Sequence, residues 1–393
     1  MSGPLDGVTV VSVEQAVAAP FATRQLADLG ARVIKIERPG SGDFARAYDS
    51  TVEGLSSVFV WLNRGKESLT LDLKAADGRA VFEELLARAD VFVQNLSPSA
   101  AERGGLDAPA IAARHPRLIP CGVSGYGTGG PQRDAKAYDL LVQGEAGLLS
   151  LTGTADEMAK VGISIADISA GMYAYSGILA ALIERQQTGR VLPVEVSLFD
   201  SLTEWVAYPL YYTRYGGTAP VRMGVDHPTI APYGAFESGD GQRLLLAVQN
   251  DREWQRLCAE VLGDAPLAVD PRFRSNSDRV RNRAALDERI AARLRTRVGD
   301  DVRGLLTAAG IANSRITEIE DLQKHPQLVD RDRWVRTAIP TGEVETLYPP
   351  GIPGPRRTDL GAVPRVGEHS ECVLTELGRS PEEIARLRAE HVI

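Results

Sequence analysis

The sequence predicts an α/β fold whose N-terminal half is a doubly wound parallel sheet, and three observations carry that prediction. First, a β-branched run, Gly7-Val-Thr-Val-Val-Ser-Val13, precedes a segment with helical spacing of Phe21, Leu26 and Leu29 that Gly30 stops. Arg32 to Glu37 then reads as a second strand. Strand, helix and strand in this order imply a parallel pair joined by a right-handed crossover. Second, the pattern recurs: Ser68 to Leu73 as strand, Gly78 to Ala87 as helix, then Val91 to Gln94 and Leu118 to Ser124 as strands. Third, 393 residues with 44 % hydrophobic and 24 % charged side chains have the composition of a globular protein. At about 150 residues per domain, that length gives two or three domains.

Further along, residues 166 to 186 read as a long helix in which Ala166, Ala170, Ala174, Gly177 and Ala181 form a stripe of small residues. Such a stripe lets another backbone approach closely, the mark of tight helix packing. Between about 220 and 330 the pattern changes to a strand pair, Tyr233 to Glu237 and Arg243 to Val248, followed by basic helical segments from Arg279 to Arg297. This is read as a second domain. After about 335, Pro and Gly concentrate in Pro349-Pro-Gly-Ile-Pro-Gly-Pro355, which suits an extended return linker. Ser380 followed by Pro381 and Glu383 opens a final helix.

Several function classes are excluded. The 52 acids against 44 bases leave a net charge of −8, so general adhesion to nucleic acid or an anionic membrane is not expected. Cys121, Cys258 and Cys372 lie far apart and suggest neither a disulfide scaffold nor a thiolate metal site. The first basic residue is Arg24 and no apolar run approaches the length of a bilayer span, so a cytosolic protein is expected. The first turn, Gln15-Ala-Val-Ala-Ala-Pro20, lacks both GxGxxG and a Walker-type signature, which argues against conventional dinucleotide binding. No histidines sit at metal-ligand spacing, and there is no GxSxG elbow. The glycines at 127, 129 and 130 make a flexible loop after a strand.

Attention therefore falls on carboxylates and bases. Asp167, in Ile163-Ser-Ile-Ala-Asp-Ile-Ser-Ala-Gly171, begins the small-residue helix, and two readings stay open. It is a helix N-cap, or it is a nucleophilic carboxylate whose charge the same N–H dipoles favour. Arg38, Lys66, Lys74, Arg103 and Lys136 recur at or after predicted strand ends. In an open α/β sheet the ligand crevice lies outside the carboxyl ends of the strands, where such charges can meet phosphates.

At this point the sequence becomes recognisable. Ala18-Ala-Pro-Phe-Ala-Thr-Arg-Gln-Leu-Ala-Asp-Leu-Gly-Ala-Arg-Val-Ile-Lys-Ile-Glu-Arg-Pro-Gly-Ser-Gly-Asp43 closely resembles the signature of the class III CoA-transferases, the CaiB/BaiF group of formyl-CoA and carnitine CoA-transferases. Matches continue in order: Asn63-Arg-Gly-Lys-Glu-Ser-Leu-Thr-Leu-Asp-Leu-Lys74, Val93-Gln-Asn-Leu96, Gly122-Val-Ser-Gly-Tyr-Gly127, Asp167 with Gly171, Ile178-Leu-Ala-Ala-Leu182, Thr188-Gly189, Asp270-Pro-Arg-Phe273 and Gly367-Glu-His369. The likeness covers nearly the whole chain.

What the resemblance implies is an open Rossmann-like sheet domain formed by both chain ends, a smaller inserted α+β domain, and an interlocked homodimer. The expected boundaries are 1–205 for the first part of the large domain, 206–225 for a linker, 226–330 for the small domain, and 331–393 for the return linker and the completing part. Asp167 matches the family's catalytic aspartate. CoA contacts carry over to Arg38, Leu71, Lys74, Asn95, Leu96, Arg103 and Lys136, with Ala16, Val17 and Ala18 near the thioester. CoA or acyl-CoA is then a substrate, no cofactor stays bound, and no metal is expected. The implied reaction moves CoA from an acyl-CoA to a free acid through an aspartyl anhydride and an aspartyl-CoA thioester. A glycine loop serves as a lid, and backbone N–H groups near Gly234 or Gly241 stabilise the oxyanion.

Two alternatives accompany that reading: an α-methylacyl-CoA racemase, and a CoA-binding protein without turnover. The racemases carry His-Asp where this chain has Tyr138-Asp139, and a phenol of pKa about 10 is a poor general base near neutrality. The chain also departs from formyl-CoA transferases, with Val17 in place of Gln and no run of four glycines, which argues against oxalate as acceptor. Met223 to Gly234 looks more like members that use succinyl-CoA with branched dicarboxylates such as citramalate or mesaconate, placing His227 and Tyr233, with Tyr138, as substrate contacts.

Overall fold

Strands buried on both faces favour unbroken runs of β-branched residues and pair in parallel through helical crossovers. The computed structural model, which describes residues 3–393, builds such a sheet. In chain order come β1 (Thr9–Val13), α1 (Ala18–Asp28), β2 (Arg32–Glu37), α2 (Ser57–Asn63), β3 (Lys66–Thr70), α3 (Ala76–Arg88) and β4 (Val91–Gln94). These are followed by α4 (Pro98–Gly104), α5 (Ala108–Arg114), β5 (Ile119–Ser124), α6 (Asp139–Glu145), α7 (Ile165–Thr188), β6 (Val194–Ser197) and α8 (Leu198–Trp205). The six strands lie in the order β3-β2-β1-β4-β5-β6, all parallel, with Val10 between Val33 and Val91. The order reverses between β1 and β4. That is the switch point at which an open parallel sheet presents its crevice.

Alternation along β1 divides the interior in two. Val10 joins a cluster with Val33, Val93 and Ile119 under α1 and α7, whereas Val11 joins Ile34, Phe92, Phe82 and Leu86 on the other face. The stripe of small residues packs helix on helix, as expected: Ala166, Ala170, Ala174 and Ala181 are buried. A Cβ on Gly171 would lie 2.7 Å from the Ala18 carbonyl oxygen, so glycine lets α1 sit directly against α7. At 24 residues, α7 is long and apolar enough to cross a membrane, contrary to the sequence expectation. Its buried stripe and its place between α1 and α8 make it a core helix of this fold.

By internal contacts the chain forms two compact units: one runs from the N-terminus to Leu148 and includes Val161–Tyr208 and Gln327–Ile393. The other comprises Leu149–Lys160 and Pro209–Pro326. Residues 149–160, read from the sequence as part of the first domain, thus belong with the second unit. The expected linker 206–225 contains a helix, α9 (Ala207–Gly216). In the second unit β7 (Tyr233–Glu237) and β8 (Arg243–Ala247) pair antiparallel. The short helices α10 (Asp251–Arg256), α11 (Asn276–Arg281), α12 (Arg283–Leu294) and α13 (Gly299–Ala308) precede β9 (Ala312–Arg315), which pairs with β8. Trp254, Leu257, Phe273, Leu286 and Ile290 fill this unit's core.

After α14 (Ile319–Leu322) and α15 (Pro326–Val329), the segment read as an extended linker begins with a hairpin, β10 (Trp334–Ile339) and β11 (Gly342–Leu347). Its signal is the period of two that buries Val335, Thr337 and Ile339. The last helices, α16 (Ser370–Glu376) and α17 (Pro381–Ala389), return to the first unit, where Val373, Leu374 and Leu387 complete the cluster around Phe82. The capping box at Ser380 and Glu383 is present.

Candidate active site

Loops leaving the carboxyl ends of β1, β4 and β5 enclose a cavity of about 540 Å³ at the switch point. Gln15, Ala16 and Ala18 contribute from the first loop, Asn95 to Pro98 from the second, and Lys136, Ala137 and Tyr138 from the third. Asp167 reaches it from α7, and Phe44 adds an aromatic wall. The glycine loop lies beside it: Gly127 and Gly129 line an adjoining cavity of about 560 Å³ that shares Leu96, Pro98, Val123 and Ser124.

Asp167 is not the N-cap of its helix. It stands in the first turn of α7, half-buried, and the cap is supplied from outside the helix by Asp139. One Asp139 oxygen accepts the N–H groups of Ala166 at 2.7 Å and Asp167 at 3.4 Å, and the other accepts from Gln143 at 2.7 Å. Two carboxylates thus share a helix N-terminus. The position in the first turn favours negative charge. Burial, and after it the charge of Asp139, work the other way and push the Asp167 carboxyl up to about 7. Among the described residues nothing donates a hydrogen bond to the Asp167 carboxylate. It is a carboxylate without a partner on a cavity wall.

The opposite arrangement holds beneath the β1–α1 turn. Glu14 accepts from Lys66 at 2.7 Å and from Thr23 at 2.8 Å, and Lys35 stands 3.6 Å from it and 2.7 Å from Asp43. Glu37 takes Arg46 at 2.7 Å and Ser68 at 2.6 Å. Burial alone would neutralise these groups. Instead Lys66 and Lys35 outweigh burial and lower the Glu14 pKa, Glu14 and Asp43 raise that of Lys35, and Arg46 takes Glu37 down to about 2. Lys66, read from the sequence as a phosphate candidate, is fully enclosed here and faces no ligand.

The model for CoA-transferase family III matches residues 5–370. The chain belongs to CoA-transferase family III. It is 34 % identical to the succinate–glutarate CoA-transferase of Agrobacterium fabrum over 95 % of this chain and 96 % of that protein. It is 35 % identical to the acetyl-CoA:oxalate CoA-transferase of Acetobacter aceti over 85 % of this chain and 86 % of that one. A crystal structure of a CaiB/BaiF family protein from Brucella suis, 34 % identical, superposes with a TM-score of 0.83 over 96 % of this chain and 100 % of that one. The protein is an acyl-CoA:carboxylate CoA-transferase, with CoA thioesters as substrates.

For this CoA-transferase the cavity brings together Ala16, Ala18, Asn95, Leu96, Lys136, Tyr138 and Asp167. Val17 is buried between its neighbours, and Leu71 lies in the core cluster, so its side chain is closed to a ligand. Arg38, Lys74 and Arg103 lie outside the cavity wall. Together with Lys136 they are exposed, and none of the four joins an ion pair among the described residues. Asn95 has both ends of its amide bound to Gln15, accepting from its N–H at 3.0 Å and donating to its carbonyl at 2.8 Å. It shapes the wall. His227 and Tyr233 belong to the second unit, where their rings stack 5.2 Å apart. The Gly241 N–H is bonded to the Ser238 carbonyl in the β7–β8 turn, which removes it as an oxyanion donor.

Three residues escaped the sequence reading: Phe44 in the wall, Asp139 as the cap, and Tyr48. The Tyr48 pKa is raised by burial and by the charges of Asp43 and Asp167. The Gly-Asp motif that ends the opening signature pointed to this stretch, but nothing in the spacing of Phe44 and Tyr48 marks them as wall residues.

Proposed function

We propose that the chain transfers CoA between carboxylic acids with Asp167 as nucleophile, and that the acceptor is a dicarboxylate. The observation that carries the reading is the unpaired Asp167 carboxylate on the wall of the switch-point cavity, with a pKa moved up to about 7. At neutral pH a substantial fraction is ionised, and a carboxylate of raised basicity is a stronger nucleophile than an ordinary one.

The steps balance without a cofactor. An Asp167 oxygen attacks the thioester carbonyl, the C–S bond breaks, and a mixed anhydride and CoA thiolate form. The thiolate attacks the Asp167 side-chain carbonyl, releasing the donor carboxylate and leaving an aspartyl-CoA thioester. The acceptor carboxylate attacks that thioester, giving an anhydride and thiolate. The returning thiolate takes the acceptor acyl group and frees Asp167.

Arg38, Lys74, Arg103 and Lys136 hold the CoA phosphates, a role supported by four exposed cations with no acid of their own. Tyr138, 66 % exposed at the cavity edge, contacts the acid. The dicarboxylate class is supported by relatives named for oxalate, succinate and glutarate. A homodimer is the working form, supported by the exposed Trp205, Leu210, Tyr211 and Tyr215 along α8 and α9. Light scattering reads that state directly. The acceptor class is tested by offering succinyl-CoA with glutarate, oxalate, mesaconate and citramalate and following new thioesters by mass spectrometry. Transfer to at least one is expected, and transfer to none overturns the class.

A further inference from the structure

Ala16, in the wall of the Asp167 cavity, has a φ of +61°. For a residue with a Cβ this left-handed region is unfavourable, and such a conformation persists only where the surroundings over-determine it. Here the peptide joining Gln15 to Ala16 is held from both sides by side chains. Asn95 donates to its carbonyl oxygen at 2.8 Å, and Asp43 Oδ1 accepts its N–H at 3.2 Å.

Asp43 is itself fixed. The same Oδ1 accepts from the Ala45 N–H at 2.9 Å, while Oδ2 takes the Lys35 ammonium at 2.7 Å. Lys35 is wholly buried and Asp43 is 2 % exposed, so neither touches a ligand. Beyond Ala16 the chain enters α1, whose Ala18 lines the cavity and whose backbone lies against Gly171, one turn along α7 from Asp167. The turn at Ala16 therefore sets where the start of α1 stands relative to the nucleophile.

We propose that Asp43, held by Lys35, is a positioning residue for the reaction at Asp167: it keeps Ala16 left-handed and so fixes the cavity wall across which the thioester is attacked. The assignment rests on Asp167 as nucleophile. Asp43→Asn breaks the arrangement, because an amide must turn its NH2 either to the Lys35 ammonium or to the N–H groups of Ala16 and Ala45. Misplacing a reacting geometry by about 1 Å costs on the order of a hundredfold in rate.

The test compares Asp43→Asn, Asp43→Asn/Ala16→Gly and Asp167→Asn in the full-length enzyme, with kcat and KM for succinyl-CoA. Asp43→Asn is expected to lower kcat by about 10- to 100-fold with KM within about threefold. Glycine adopts a positive φ freely, so Ala16→Gly is expected to restore kcat by about fivefold or more in the Asp43→Asn background. A role confined to the ionic network would show no such rescue. Parent kcat in Asp43→Asn, a change in KM alone, or a loss that Ala16→Gly leaves unrelieved overturns the assignment. If Asp43→Asn is insoluble, Asn95→Ser, which frees Gln15 without touching the network, carries the same expectation and the same rescue. Asp167→Asn separates the two readings. Turnover at the parent rate there defeats the nucleophile and the positioning together, whereas an inactive Asp167→Asn beside a fully active Asp43→Asn defeats positioning alone.

Discussion

Two sets of acids in the first unit have opposite fates. Glu14 and Glu37 are surrounded by Lys35, Lys66 and Arg46, and these cations outweigh burial and lower both pKa values. Asp167 has no cation and lies beside Asp139, so burial and like charge win, and its carboxyl titrates at about 7. Burial alone therefore does not mark a functional acid. A paired acid has spent its reactivity on the fold, and an unpaired one retains it for a substrate.

Loss of the unpaired oxygen should be the most damaging change. Asp167→Asn is expected to lower turnover by about four orders of magnitude or more, because an amide cannot form the covalent intermediate. CoA affinity by calorimetry should stay within about threefold, since the phosphates are held elsewhere. Next in size is a break in the paired set. Lys66→Met leaves Glu14 enclosed with Lys35 as its remaining cation and should cost about 3–5 kcal/mol in a denaturant melt.

Arg38→Ala, Lys74→Ala, Arg103→Ala and Lys136→Ala should each weaken CoA binding by about 1 kcal/mol, with the loss shrinking at high salt because the side chains are exposed. The pH dependence separates the two sets as well. As the proposed nucleophile Asp167 must be ionised to attack, so its acylation rate should rise as pH increases through about 7 and level off above. Stability runs the other way. With its folded pKa raised above the unfolded value of about 3.9, Asp167 binds more protons when folded and erodes stability as pH rises from there to about 7. Asp167→Asn should therefore gain about 1–3 kcal/mol at pH 8 and much less at pH 4, read from melts at both. Asp139→Asn keeps an acceptor for the cap but removes the neighbouring charge, and should move the midpoint of the rate profile down by up to about one unit.

Much of the sheet was legible because its strands are rich in β-branched residues: β2, after the helix stop at Gly30, and β4 fall at the expected residues. The strands β6 and β9 were missed, having four residues each and, in Ala312–Arg315, no apolar alternation. The hairpin of β10 and β11 was hidden by the prolines and glycines that follow it. Asp167 was recognisable from its motif and lines the cavity with Lys136, whereas Arg38, Lys74 and Arg103, picked out as basic residues after strand ends, are exposed outside the cavity wall. Spacing did not reveal which lysine is free. Lys66 and Lys74 flank the same strand, yet one is enclosed with Glu14 and the other exposed, a difference set by a partner 52 residues away in sequence. The cap came out differently for the same reason, because Asp139 reaches α7 from another helix.

Acylation of Asp167 is tested most directly by incubating the enzyme with an acyl-CoA, trapping with hydroxylamine at neutral pH, and mapping the peptides by mass spectrometry. A hydroxamate at Asp167, formed only in the presence of acyl-CoA, is the predicted result. An unmodified Asp167 peptide during active turnover, with the adduct elsewhere or nowhere, contradicts it.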